Sequence, residues 1–540
     1  MSVRSFYTRL AGTRVLGEFL GALDALQPGA SVSLYAASGS LPAFLVAHAF
    51  ERAPRTLCCI TEDEESAAFL ASDLEQILGS EHVIRFPVSG HAPYDSEHVE
   101  DVSLAIARAE ALQRLAEGPA ALFVLGLDAL LARVPSGERL AESTWTLATG
   151  DTISPQAAVE RLHSLVFNRV EFAESPGDMA LRGGILDVYP FTGDYPLRIE
   201  FFGDDVDSLR EFDPRTQRSV SRLTHARIVP DLEADDLIGG FASFFDYLSV
   251  DTPLVTLNEG RFEGLVSKAF QHQEQLFQQA SRQDSSRAFP LPADRYITPA
   301  EFQASVLSRP RIQIGTFQSG DADASIDAGS RPQPVFNKNV ETVRRNVAEN
   351  ASADIDTVIL CDSHGQVTRL IELLESSIRD HRLELKVGSI HQGFVLPEAG
   401  LALYTDHQIF DRYHRPTRRK QKRSYGGLTL REVQNLRPGD FVVHIDYGVG
   451  RFAGLFKITV REKQQEAVKL LFKDDDVLYV NVNALHKLHK FSGKEGHQPS
   501  LTKLGSGQWE RTKARTKKRV KDIARDLIRL YAKRKASDGY

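Results

Sequence analysis

A run of small residues between two apolar segments has the layout of a phosphate-binding loop without its chemistry. In residues 31–50, "SVSLYAASGSLPAFLVAHAF", a β-type run meets a turn around Gly39, and the apolar stretch that follows predicts a helix. The pattern G-x-x-x-x-G-K-[ST] needs a lysine to reach the outer phosphates and a hydroxyl to hold magnesium. Pro42 and Ala43 stand in those two places. The sequence therefore predicts a degenerate nucleotide site that does not hydrolyse ATP.

No other catalytic constellation stands out in the chain. The motifs G-x-S-x-G and HExxH are absent, and so is any Cys/His nucleophile signature. The three cysteines, Cys58, Cys59 and Cys361, have no zinc-like spacing and fall in apolar runs typical of buried strands. We therefore expect reduced core cysteines, no catalytic residue, no metal site and no cofactor in this chain.

Length and composition indicate a folded, multidomain chain. It has 540 residues, 42% of them hydrophobic and 25% charged, which suggests about three or four domains. No stretch approaches the roughly 18 uninterrupted apolar residues of a membrane span, and the N-terminus lacks the apolar core of a signal peptide. We expect a cytoplasmic protein.

The net charge of −7 conceals two basic segments. Residues 501–540 hold 13 Lys and Arg against 4 Asp and Glu, and residues 414–423 read "HRPTRRKQKR". Such runs can neutralise phosphates or meet an acidic partner. A solvated helix face or a basic linker explains them equally well, and the sequence leaves both interpretations open.

The order of elements predicts a multidomain α/β chain. The first 140 or so residues alternate strands and helices, which favours a parallel sheet covered by helices. Residues 151–230 change to short strands with Gly-containing turns, typical of a small α+β insert, and residues 231–315 are expected to be helical and loop-like. A compact α/β unit is predicted for 345–412. From 437 onward alternating residues predict a small bent barrel, followed by a long basic helix.

Two segments carry a resemblance to known families. "LRGGILDVYPFTGDYPLRIEFFGDDVDSLREFDPRTQRS" (181–219) resembles the second domain of the repair protein UvrB and the equivalent domain of the bacterial transcription-repair coupling factor family (Mfd). "RPGDFVVHIDYGVGRFAGL" and "LLFKDDDVLYVNVNALHKLHKF" resemble the polymerase-binding module of that family, which is related to CarD. UvrB lacks this module, so the two motifs in this order point to the coupling factor family and to an N-terminal fragment of such a protein.

This resemblance implies a multidomain α/β fold class. The first part is a UvrB-like α/β domain with a degenerate P-loop and an α+β insert. It is followed by a small α/β domain, a Tudor/SH3-like β-barrel of CarD type and a C-terminal long helix. The implied domains are 1–150 (UvrB-like 1A), 151–230 (UvrB-like 2, UvrA-binding), 231–328 (UvrB-like 1B), 329–344 (linker), 345–412 (small α/β domain 3), 413–427 (basic linker), 428–495 (CarD-like, RNA polymerase-interacting) and 505–540 (connector helix).

The resemblance also implies which residues contact partners. In the insert, Arg182, Arg198 and Phe202 stand at the places that dock UvrA in the family, and Glu200 is close by. The last three are spaced by two, so in a strand they share one face. Arginines and aromatics are also the residue types that dominate binding energy at interfaces.

In the barrel, the resemblance implies binding to the β subunit of RNA polymerase by strand pairing between sheets. Val468, Leu470 and Phe472 alternate along "EAVKLLF", with Lys469 on the other face. We expect the first three to form the interface. Because only one face of the strand can be the barrel core, some of this set could instead be structural.

The implied function is that of an adaptor in transcription-coupled nucleotide excision repair. The complete protein would be an ATP-driven translocase on double-stranded DNA, with ATP and magnesium bound to domains beyond residue 540. This chain is expected to be a monomer that binds polymerase and UvrA. Two alternatives remain, an ATP-dependent repair enzyme like UvrB and a polymerase-binding regulator of CarD type.

Overall fold

The structure is a computed structural model of the 540-residue chain. It describes residues 7–511 apart from 8, 95–101, 194, 215–216, 231–239, 285–287, 376–381, 413–432, 434–435, 445, 461–462, 482–484, 486, 492–498, 505–508 and 510. The predicted basic linker 413–427 and nearly all of the predicted helix 505–540 lie outside these residues. The chain divides into two compact units, residues 1–420 and 421–540.

The body of the first unit is a seven-stranded parallel sheet. Apolar strands such as Leu57–Thr61 and Leu122–Gly126 are buried along their whole length, as expected for a sheet covered on both faces. In spatial order its strands are Ala324–Asp327, Ser31–Tyr35, Arg311–Ile314, Leu254–Leu257, Leu57–Thr61, Leu122–Gly126 and Val83–Arg85.

Helices pack on both sides of this sheet. Those before the insert are Arg14–Ala25, Leu41–Arg52, Glu64–Leu78, Val102–Glu117, Leu127–Leu131 and Gly137–Ser143, and those after it are Phe262–Gln283, Pro292–Arg295 and Pro299–Leu307. Three of the seven sheet strands come from residues 231–328. The expectation that 231–315 is only helical and loop-like was therefore wrong, because four-residue strands such as Leu254–Leu257 are too short to show a periodicity.

The insert is a second, mostly antiparallel sheet. In spatial order its six strands are Ser219–Leu223, Asp205–Phe212, Leu197–Phe202, Ile185–Val188, Asp178–Arg182 and Asn168–Arg169. The helix Pro155–Ser164 and the ladder of Trp145–Ala148 with His225–Ile228 contribute to its core. One face carries this core, and the other face carries polar side chains.

A third sheet completes the first unit. In spatial order its strands are Arg331–Pro332, Phe394–Leu396, Leu401–Thr405, Asp356–Cys361 and Leu383–Val387, of which the last three are parallel. Its helices are Val340–Ser352, His364–Leu373 and Asp406–Ile409. We call residues 331–412 the third domain. Its loop of residues 389–393 packs on the body of the first unit, as described below.

The second unit contains a five-stranded antiparallel sheet. In spatial order its strands are Val477–Asn481, Lys463–Leu471, Gly448–Val460, Phe441–His444 and Leu488–Lys490. The register of the two longest strands shifts between Phe452 and Gly454, where Gly454 has a φ of 128°, and this bulge bends the sheet. Among the described residues of the whole chain, no helix is both long enough and apolar enough to cross a membrane.

Candidate functional site

The polar face of the insert gathers the residues predicted to dock a partner. Arg198 and Glu200 lie on the strand Leu197–Phe202, and Arg182 ends a strand two positions away in the sheet. Their neighbours Leu197 and Ile199 point to the buried core. Alternation along the strand therefore separates a packed face from an accessible face.

A buried carboxylate, Asp187, organises this face. Arg198 forms a bidentate ion pair with it, with Nε 2.7 Å from Oδ1 and Nη2 2.9 Å from Oδ2. Arg182 donates a hydrogen bond to the same Oδ2. The Asp187 side chain is only 1% exposed, and its hydrogen bond raises the pKa of Arg198 above the ordinary arginine value. Two guanidinium groups are thus held in fixed positions at the surface.

A second pair lies beside the first. Glu200 accepts hydrogen bonds from the Ser208 hydroxyl, at 2.6 Å, and from Arg210 on the neighbouring strand. The bond from Ser208, followed by that from Arg210, lowers the pKa of Glu200, so this carboxylate is charged at neutral pH. The face therefore offers both signs of charge at defined places.

Aromatic side chains complete the surface. Phe202 is 82% exposed at the end of its strand, and Phe172 is partly exposed with the Arg182 guanidinium 4.6 Å from its ring centroid. A large apolar side chain at this exposure has lost most of the free energy of burial, about 2 kcal/mol for a phenylalanine. We call the set Phe172, Arg182, Arg198, Glu200 and Phe202 the insert face.

Asp187 and Phe172 were not predicted from the sequence. Asp187 had a usable signal in the sequence, because it interrupts the apolar strand "ILDV". In the structure it lies directly opposite Arg198 on the neighbouring strand. A lone charge at an inward or half-buried strand position needs a partner of opposite sign. Phe172 lies in a loop whose position only the tertiary structure defines.

The loop predicted to be a degenerate phosphate site is filled by other segments of the chain. The backbone amides that would hold a phosphate are already bonded: Ser38 N–H donates to Ser330 Oγ at 2.7 Å, and Ser40 N–H donates to the Gln392 carbonyl at 3.0 Å. Gly39 has a φ of 57°, and a Cβ there would lie 2.4 Å from the Gly393 oxygen. Pro42 and Ala43 are buried in the helix Leu41–Arg52.

The filling segment belongs to the third domain. Residues 389–393 reach across to the body, where His391 stacks on Phe69 with ring centroids 3.6 Å apart and donates its backbone N–H to Asp73 at 2.7 Å. Burial raises the pKa of Asp73 to about 7, against lesser opposite effects of hydrogen bonds from Ser40 and His391. The loop around Gly39 is thus a contact surface between the body and the third domain.

In the five-stranded sheet, the residues predicted to contact the polymerase do not lie on the surface. Val468, Leu470 and Phe472 are all buried, at 0%, 0% and 2% exposure, so their side chains form the core and cannot contact a partner. Val468 and Leu470 alternate along the strand as predicted and Phe472 directly follows it, but the face they share is the inner one. The physical reason is that a run of large apolar side chains is excluded from water once a sheet bends around it.

The outer face of the same strand is accessible. Tyr479 pairs with Lys469 across the sheet, and the Lys469 Nζ lies 5.2 Å from the centroid of the Phe456 ring. Phe456 and Tyr479 are 43% and 45% exposed. The strand Val477–Asn481, which carries Tyr479, is an end strand of the sheet as described. We call Phe456, Lys469 and Tyr479 the outer patch.

Comparison with known proteins assigns both modules. Residues 145–233 match the family described as UvrB interaction domain, and residues 436–492 match the CarD-like/TRCF RID domain. The chain is similar to transcription-repair-coupling factors. It is 24% identical to the one from Staphylococcus aureus (strain bovine RF122 / ET3-1) over 98% of this chain, and 25% identical to the one from Bacillus subtilis (strain 168) over 97%.

These matches confirm the resemblance inferred from the sequence. The first module coincides with the insert sheet, and the second contains all five strands of the second unit's sheet. The chain spans about half the length of the curated relatives it matches, 50% of each of these two. The similarity thus covers nearly the whole of this chain but only about half of each transcription-repair-coupling factor.

Proposed function

We propose that this chain is the adaptor part of a transcription-coupled repair factor, which joins RNA polymerase stalled at a DNA lesion to the excision-repair protein UvrA. The observation that carries the proposal is the presence, in one chain, of a UvrB interaction domain and a CarD-like/TRCF RID domain. Each module also has an accessible face with exposed aromatic side chains, a residue type that dominates binding energy at interfaces.

The insert face is the proposed UvrA site. Arg182 and Arg198 are held by Asp187, so little side-chain freedom remains to be lost when a partner binds. Planar guanidinium groups beside exposed aromatic rings suit an interface of mixed charge, with Phe202 as the apolar anchor. Glu200, charged and fixed by Ser208, would meet a cationic group of the partner.

The outer patch and the end strand Val477–Asn481 form the proposed site for the β subunit of the polymerase. An end strand offers backbone N–H and C=O groups to an added strand, and the alternating side chains on it give specificity. Tyr479 and Phe456 would supply the buried apolar area. The core residues Val468, Leu470 and Phe472 support this surface from behind.

The chain by itself is proposed to have no ATPase activity. The bonded amides of Ser38 and Ser40, the close approach of Gly393 and the absence of the P-loop lysine support this proposal. The resemblance to the coupling factor family implies that the complete protein is a cytoplasmic, ATP- and magnesium-dependent translocase on double-stranded DNA. We propose that this part of it acts as a monomer.

A paired binding experiment tests the proposal. The immobilised chain is offered purified UvrA or RNA polymerase, in wild-type form and as Phe202→Ala and Tyr479→Ala. We expect Phe202→Ala to lose UvrA and keep polymerase, and Tyr479→Ala to do the reverse. Capture of neither partner by the wild type would refute the adaptor function. Saturable binding of labelled ATP would refute the inactive nucleotide site and favour an enzyme like UvrB.

A further inference from the structure

Three metal-ligating side chains meet at one edge of the third domain's sheet. Asp362 directly follows the strand Asp356–Cys361, and Asp406 and His407 directly follow the neighbouring parallel strand Leu401–Thr405. The carboxyl ends of adjacent parallel strands lie side by side, which is where open α/β sheets bind ligands. One ligand atom from each of the three residues lies within 4.8 Å of the others.

The hydrogen bonds of His407 fix the role of its ring nitrogens. Its Nε2 lies 2.9 Å from the carbonyl oxygen of His391, which can only accept, so Nε2 carries the proton and Nδ1 carries the lone pair. A histidine that binds a metal usually donates its other N–H to a backbone carbonyl or a carboxylate in this manner. This support is already in place in the third domain.

Asp406 provides a separate indication of a ligand. The residue is 1% exposed, and its Oδ2 accepts a hydrogen bond from Arg412 at 2.5 Å. Its other oxygen, Oδ1, is buried and has no hydrogen-bond partner among the residues that the structure describes. A buried acceptor left without a partner costs about 1–3 kcal/mol, so this oxygen is poised for a group that the described residues do not supply.

Charge and donor type indicate what that group is. The two carboxylates exceed the single positive charge of Arg412 by one, so a cation is favoured over an anion. Two carboxylate oxygens and one imidazole nitrogen suit divalent ions such as Mn²⁺ and Zn²⁺, whereas an all-oxygen set suits Mg²⁺ and Ca²⁺. We propose that Asp362, Asp406 and His407 form a binding site for a divalent transition-metal cation, which enters from the side of the exposed Asp362.

Such a cation would stabilise the contact between the third domain and the body. Ser389 donates to Asp362 Oδ1 at 3.0 Å and His391 accepts from His407, so two residues of the filling loop rest directly on the proposed ligands. The same loop bonds to Ser40 and Asp73 on the body. A bound ion would therefore stabilise the loop that fills the degenerate phosphate site. The sequence alone predicted no metal site, because these ligands come from two separate strand ends.

Titration of the purified chain with Mn²⁺ after treatment with EDTA tests the site. We expect one saturable Mn²⁺ site by electron paramagnetic resonance, and a rise in the melting temperature of the first unit on adding Mn²⁺. Asp406→Asn keeps the shape of the side chain and should weaken binding by more than roughly tenfold, as expected for loss of a metal ligand. Asp362→Asn, at an exposed position, should do the same without risk to folding.

Asp354→Asn is the matched control, since Asp354 is an exposed carboxylate of the same domain that pairs with Arg382. This variant should bind Mn²⁺ as the wild type does. Weak, unsaturable binding in all four proteins would overturn the proposal, and so would tight binding that survives Asp362→Asn and Asp406→Asn together. Repeating the titration with Zn²⁺ and Mg²⁺ establishes the preference, and tighter binding of Mg²⁺ than of Mn²⁺ would overturn the assigned class of ion.

Discussion

Two strands of this chain show the same sequence pattern and opposite outcomes. In the insert, Arg198, Glu200 and Phe202 alternate and point to the accessible face. In the second unit's sheet, Val468 and Leu470 alternate in the same way and point into the core. Alternation shows which residues share a face, but it does not show which face is outside. The comparison shows that charge decides which face is exposed, because a face containing Arg and Glu cannot be buried without a full set of partners.

The comparison is tested most severely at Leu470. Replacing this buried residue by arginine, Leu470→Arg, places a charge in the core and should destabilise the sheet by about 5 kcal/mol or more. Circular dichroism and limited proteolysis should report an unfolded second unit. Lys469→Gln, on the outer face of the same strand, should stay within about 1 kcal/mol of wild type. A folded Leu470→Arg protein that has lost only polymerase binding would restore the original interface prediction.

Replacing Asp187 tests whether this carboxylate is what stabilises the two arginines of the insert face. Asp187→Ala leaves two arginines without their shared carboxylate and should destabilise the insert by about 3 kcal/mol, below the cost of a fully buried pair because Arg182 reaches solvent. Trp145 lies in the insert core, so urea unfolding can be followed by its fluorescence in a Trp509→Phe background. The exposed Asp207→Ala on the same sheet is the control. Equal midpoints for both variants would contradict the organising role of Asp187.

Replacing Phe202 tests the exposed face of the insert by its effect on UvrA binding. Because its side chain is exposed, Phe202→Ala should leave the melting temperature unchanged. Loss of an aromatic anchor should weaken UvrA binding by about 2 kcal/mol, or roughly 30-fold in Kd, measured by calorimetry. Val220→Ala, another exposed apolar residue of this sheet, should change Kd less than about threefold. Similar losses in both variants would mean that the insert face is placed wrongly.

Asp73 extends the comparison to a second buried carboxylate, one whose pKa is raised. Burial moves its folded pKa to about 7, above the value of 3.8 that applies to the unfolded chain. The folded state therefore holds a proton that the unfolded state loses above about pH 4, and the free energy of unfolding should fall as pH rises from about 4 to about 7.

The slope of this fall should be up to about 1.4 kcal/mol per pH unit, with no further loss above pH 7. Asp73→Asn keeps the acceptor for the His391 amide and should remove the contribution. Denaturant unfolding of the first unit at several pH values measures it. A wild type and Asp73→Asn that share one pH profile would show that Asp73 titrates normally.

The resemblance to a known family could be predicted from sequence because it rests on local features. The strand "PLRIEFF" and the turns around Gly203 and Asp204 occupy one continuous stretch, and turn residues act through their own backbone preferences. The prediction of a degenerate phosphate loop rests on equally local features, since Pro42 can supply neither a charge nor a backbone donor. The short strands in residues 231–328 were missed because they are recognisable only by their neighbours in the sheet.

The sequence by itself determined which chemical groups this protein has and which it has lost. Only the tertiary structure decided where those groups meet: Asp187 beneath two arginines, residues 389–393 against the loop around Gly39, Asp362 beside Asp406, and Leu470 inside its sheet. The physical reason is that a residue's type is fixed at its position in the chain, whereas burial and pairing depend on segments far apart in sequence that only the folded chain brings into contact.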